Sequence, residues 1–173
     1  MRTLVLTLLV AVALCGCAGV TPPPPTPTPT PTPPAATIAE QRTATAEALA
    51  VERQWLGSWF RDTPVRVAQR NDGAVSLEVP RAFCFDPGRS DVKPALAAVL
   101  DKVAESLRRV PLAQLTMVAA PDDAGGAAPR AVQRAVQVRD YLRSRGVPAA
   151  RLGKPSAAGA ASVQLRLADV SSF

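Results

Sequence analysis

Histidine would be the first side chain to look for in a catalytic or metal site, and the 173 residues contain none. Its absence removes the Ser/His/Asp and Cys/His nucleophilic systems and the commonest metal ligand together. The one adjacent pair of carboxylates is Asp122-Asp123, between Pro121 and Gly125. Neighbours in a loop point apart, so this pair is not expected to share a proton as a catalytic dyad does. No Ser or Thr has a paired base. The chain is therefore read as a binding module and not an enzyme, with no cofactor and no metal. Lys and Arg number 20 against 14 Asp and Glu, a net +6 that favours anionic partners without naming one. Aromatic residues are only 4% and do not interleave with the basic ones, so nucleic acid is not expected as a partner.

These residues must be delivered and held by the elements around them. Residues 1–16 read as a secretory signal: Arg2 is the positive start, and Leu4 to Leu14 form an apolar stretch shorter than the roughly 20 residues of a spanning helix. Leu14-Cys15-Gly16-Cys17 resembles the bacterial lipobox, in which Leu stands three before, and a small residue one before, the Cys that becomes the first residue. Cys15 occupies a place usually held by Ala or Ser. The resemblance implies a diacylglyceryl thioether and an N-acyl chain on Cys17, palmitate-like anchors worth about 0.8 kcal/mol per buried methylene. Ala18 follows where a retention Asp would keep a lipoprotein in the inner membrane, so the outer membrane is implied, with the chain on its periplasmic side. Cys17 and Cys84 then remain, one of them acylated, and no intramolecular disulfide is expected. Cys84 reads as a small buried hydrophobe in a strand. Residues 17–36 carry Pro22-Pro23-Pro24-Pro25 and a Thr-Pro alternation to Pro34. Fixed φ and missing donors make this run a polyproline II spacer, a linker rather than part of a core.

Residues 37–62 predict an amphipathic helix from Ile38 to about Phe60, with Thr37-Ile38-Ala39-Glu40 as a capping box. The expected apolar stripe is Ala44, Ala48, Val51, Trp55 and Trp59, flanked by Leu49, Leu56 and Phe60. Trp55 and Trp59 lie four apart on one face. They either pack onto the domain that follows or form a face for self-association or a protein partner. Residues 63–173 alternate strands and helices. Val75, Leu77 and Val79 have period two, and Phe83 and Phe85 are expected to continue that strand on one face. Pro94 opens a helix with Leu96, Leu100, Val103 and Leu107 inward. Leu115 to Ala119 reads as a buried strand. Pro129 opens a second helix with Ala131, Ala135, Val138 and Leu142 inward, ended by Gly146. Val163, Leu165 and Leu167 make the last strand. The fold class is α/β, a single β-β-α-β-α-β sandwich preceded by a helix and a Pro-rich linker.

Two segments of 63–173 resemble the OmpA-like, peptidoglycan-associating domain family. Phe85-Asp86-Pro87-Gly88-Arg89-Ser90-Asp91-Val92-Lys93-Pro94 is similar to the family's opening of its first helix. Asp140-Tyr141-Leu142 through Gly146-Val147 to Arg151-Leu152 is similar to a later helix end. The resemblance implies non-covalent association with peptidoglycan, tethering envelope layers, with diaminopimelate of the stem peptide as the ligand. Its free end pairs an ammonium with a carboxylate, which calls for one carboxylate and one guanidinium fork. The positions that match are Asp122, three before Gly125, for the ammonium, and Arg134 for the carboxylate. Around them the pattern departs. Ala119, Ala120 and Pro121 stand where the family has Gly, an aromatic and Thr, the loop is shortened, and Ala161-Ser162-Val163 replaces a terminal Arg pair. An Asp122–Arg134 ion pair with no ligand is the alternative at the site. For the whole chain, the alternative is an assembly subunit that has lost peptidoglycan and meets a partner through the Trp55/Trp59 helix.

Overall fold

The computed structural model describes residues 35–123 and 129–169. The lipobox, Cys17, the Pro-rich run and residues 124–128 of the shortened loop lie outside them. Helix α1 spans Ala35–Trp59, strand β1 Arg66–Gln69 and strand β2 Val75–Pro80. Helix α2 follows at Pro94–Arg109, strand β3 at Ala113–Ala120 and helix α3 at Pro129–Ser144. Strands β4, Pro155–Ala157, and β5, Ser162–Asp169, complete the fold. The five strands form one sheet in the order β1-β2-β5-β3-β4, antiparallel except where β4 runs parallel to β3. The α/β architecture is as expected; β4 is additional. Three residues starting at a Pro show no alternation, so nothing in the sequence marks it.

The alternation of β2 and β5 works as read. Val75, Leu77 and Val79 face Leu167, Leu165 and Val163 across the ladder, and all six are buried. Leu96, Leu100, Val103 and Leu107 of α2 join the same core, as do Ala135, Val138 and Leu142 of α3. The turn Arg70–Gly73 reverses β1 into β2 with Gly73 at φ 79°, and Gly146 closes α3 at φ 84°; both conformations are left-handed and suit Gly.

Three local readings are corrected. Helix α1 begins at Ala35, so Thr37 lies inside its first turn and does not cap it. Its buried stripe is Thr45, Leu49, Glu52 and Leu56, continued by Phe60 just past its end; it is displaced by one residue from the expected Ala44–Trp59 stripe, and Val51 is 63% exposed. Ala48 and Trp55 of the expected stripe still pack against the edge of the core, while Leu49, Leu56 and Phe60 lie within it. Finally, β2 ends at Pro80 and the chain coils through a single 3-10 turn, Arg81–Phe83. That turn throws Phe83 outward and Phe85 inward, so the two do not share a face. Cys84 lies between them, fully buried and outside any strand. Its Sγ is 3.4 Å from the Val79 carbonyl oxygen and 3.3 Å from that of Pro80. Burial pushes its thiol up to about 12.

Candidate functional site

Four segments are tied together: Arg81, the 86–93 turn, Pro121–Asp123 beyond β3, and the first turns of α3. Gly88, at φ 73°, lets the turn reverse, and the turn is pinned by Arg89 N–H to the Asp86 carbonyl and Lys93 N–H to the Cys84 carbonyl, both at 3.0 Å. Arg134 stands three residues after Ala131 and four before Val138, on the inward face of α3, and its side chain is fully buried. It donates from Nε to the Arg89 carbonyl at 2.9 Å and from Nη1 to the Pro121 carbonyl at 3.0 Å. Its Nη2 reaches the Asp86 carbonyl at 3.3 Å and Asp123 Oδ1 at 2.7 Å. The guanidinium also lies 4.8 Å from the Phe85 ring centroid. A buried charge persists only when paired and hydrogen-bonded, and Arg134 is both.

The expected roles divide differently in this geometry. Arg134 pairs with Asp123 rather than Asp122, and its fork is spent inside the protein. Asp123 also accepts Gly88 N–H and Arg130 Nη1 on Oδ2, each at 2.9 Å. The Arg134 hydrogen bond first, then that of Gly88, hold its carboxyl down at about 2. Asp122 is 9% exposed, and its Oδ1 is buried with no hydrogen-bond donor among the described residues. Such an oxygen is costly to leave unpaired. Asp122 and Asp123 thus differ sharply although adjacent: Asp123 is ion-paired, whereas Asp122 has no ion pair among the described residues.

Arg81, which the sequence reading passed over, donates from Nη1 to the backbone carbonyls of both Asp122, at 3.0 Å, and Asp123. It lines an open cleft of about 600 Å³ with Phe85, Lys93, Asp123 and Ala161 among its walls. Lys93 Nζ is engaged by Asp86 at 3.1 Å. The only sequence signal was position: Arg81 follows β2 directly, and its N–H bonds the Ala161 carbonyl at the mouth of β5.

A second cluster lies on α1 and α2. Trp55 and Trp59 meet edge to face at 6.1 Å. Arg109 lies 3.7 Å over Trp55, and Lys102 lies 3.9 Å over Trp59. Glu52, buried beneath, accepts from Ser106 at 2.7 Å and from Arg109 at 2.8 Å. Trp55 packs against the core, while Trp59 is 54% exposed. Among the described residues no group of His, Cys, Asp and Glu is placed to hold a metal ion, and no helix is long and apolar enough to cross a membrane.

No protein-family model and no curated protein matches the chain. Solved structures do. A MotB-like protein of Desulfovibrio vulgaris is 17% identical, with a TM-score of 0.54 over 74% of this chain and 95% of its own. The periplasmic domain of Helicobacter pylori MotB is 15% identical, with a TM-score of 0.53 over 61% of this chain and 85% of its own. At such identities the likeness establishes the fold. The α/β sandwich expected of an OmpA-like domain is the fold these MotB-like domains have.

Proposed function

We propose that the chain is an outer-membrane lipoprotein, anchored through Cys17, whose domain at 63–173 associates non-covalently with peptidoglycan on the periplasmic side and so tethers envelope layers. The observation that carries this reading is Asp122. A carboxylate oxygen buried without a donor is stabilised by a cationic partner, and the free ammonium of a diaminopimelate residue supplies one. Arg134 acts behind it, fixing Pro121 and Asp123 and so the backbone that presents Asp122. The fold likeness supports the reading, since the Helicobacter pylori domain is a periplasmic one. No catalytic step is assigned; the domain binds.

The test is co-sedimentation of the full chain, in detergent, with purified sacculi. Wild type is expected in the pellet. Asp122→Asn, which keeps shape and removes charge, should weaken binding about tenfold or more, since a charge-assisted hydrogen bond contributes roughly 1.5–3 kcal/mol. Wild type remaining in the supernatant overturns the reading.

One observation favours the assembly-subunit alternative: Val51 and Trp59 are both exposed on the outer side of α1. Under it the partner is a protein or a second copy. Cross-linking of the full chain should then capture an oligomer or complex that Trp55→Ala/Trp59→Ala abolishes.

A further inference from the structure

We infer that Arg81 is the carboxylate-binding residue of this site, and that the cleft it lines takes the acidic end of a peptide stem. The inference rests on the peptidoglycan reading and adds a residue to it. A ligand carrying an ammonium beside a carboxylate needs a cation as well as Asp122, and Arg134 is fully buried with its bonds directed inward. Among the charged residues lining the cleft, Asp123 is paired with Arg130 and Arg134, and Lys93 with Asp86. Arg81 has no carboxylate partner among the described residues.

Its geometry suits the task. One nitrogen, Nη1, is committed to the carbonyls of Asp122 and Asp123, which holds the guanidinium plane in place. Nε and Nη2 make no hydrogen bond among the described residues, and Arg81 is only half-buried. These two nitrogens form the edge that grips a carboxylate in a bidentate contact. The same side chain thus ties the Asp122 and Asp123 backbone to the cleft wall and presents its free edge in the cleft. Phe85 gives the cleft an apolar wall that limits competition from water.

The probes are two soluble tripeptides, L-Ala-γ-D-Glu-meso-diaminopimelate with its free carboxylate and the same peptide with that group as a carboxamide. Each is used to displace the full chain from sacculi. Wild type should prefer the free acid by about tenfold. In Arg81→Gln the preference should vanish while residual binding of the amide persists. Because Arg81 also steadies two carbonyls, Ala161→Asp serves as a second variant. It leaves Arg81 in place but sets a carboxylate on the exposed cleft wall, and it should abolish the preference equally. A purely structural role for Arg81 would weaken both peptides alike and leave their ratio unchanged. A preference retained in Arg81→Gln overturns the assignment, whatever Ala161→Asp does. Failure of wild type to bind sacculi or either peptide overturns the peptidoglycan reading and this inference with it.

Discussion

Arg134 is a charge placed where water cannot reach it, so its worth lies in what it holds together. Removing it leaves the carbonyls of Pro121, Arg89 and Asp86 without their donor and Asp123 short of its principal counter-charge. Arg134→Ala should cost about 3–5 kcal/mol in denaturant unfolding, as expected for removing the buried partner of an ion pair. Arg134→Lys should recover little of it, because one ammonium cannot serve four acceptors in a plane. Asp123 makes a pH prediction. Its folded value, about 2, lies below the ordinary 3.8, so its contribution is fully present above roughly pH 4 and is lost as pH falls through about 2. Wild type should therefore be more stable than Asp123→Asn at neutral pH, and the gap should close toward pH 2 in acid titrations followed by circular dichroism. At this scale the sequence was half legible. Arg134 falls at helical spacing between Ala131 and Val138, a pattern that already marks it as inward. Which of two adjacent loop carboxylates it would meet depends on backbone direction, and no residue spacing encodes that.

Among the elements, α1 shows most clearly how amphipathic patterns mislead. Two faces one residue apart each contained apolar side chains; the one holding Leu49, Leu56 and Phe60 is buried, whereas on the other Val51 and Trp59 are exposed and Ala48 and Trp55 only partly buried. The polar members of the buried face, Thr45 and Glu52, hid it. Thr45 turns its hydroxyl back onto the Gln41 carbonyl, and Glu52 is satisfied by Ser106 and Arg109. Burial alone would raise the Glu52 carboxyl, but those hydrogen bonds and the Arg109 charge outweigh it and set the group below its usual range. Leu56→Ala should accordingly cost about 2–5 kcal/mol, whereas Val51→Ala should change stability by no more than about 0.5 kcal/mol. Equal effects in thermal unfolding would return α1 to the expected stripe. Gly153 sets a comparable constraint on the connection before β4, where an added Cβ would come within 2.5 Å of the Thr116 carbonyl oxygen. Helices α2 and α3 were legible because Pro at their starts and four-three-four stripes agree; β4 was not, because a three-residue parallel strand is chosen by its neighbour.

For the whole molecule, the order of strands and helices follows from periodicity, while the proposed lipid anchor rests on a few residues around Cys17. Feeding cells a clickable palmitate analogue should label the wild-type chain and leave Cys17→Ser unlabelled; label on the variant would remove the anchor from the proposal. The buried Cys84 carries a consequence of its own at this scale. With its thiol pushed up to about 12 and its sulfur enclosed, the native molecule shows almost no thiolate to an oxidant. In the oxidising compartment proposed here, its exposure is then a matter of time rather than of reductant: the danger lasts only while the chain is being exported and has yet to close. Once closed, Cys84 becomes a clock for reopening. Trapping by a thiol reagent should quicken about tenfold for each 1.4 kcal/mol of stability removed by a distant core variant such as Leu56→Ala. A rate indifferent to Leu56 would mean that the clock is wound by a local opening around the Arg81–Phe83 turn.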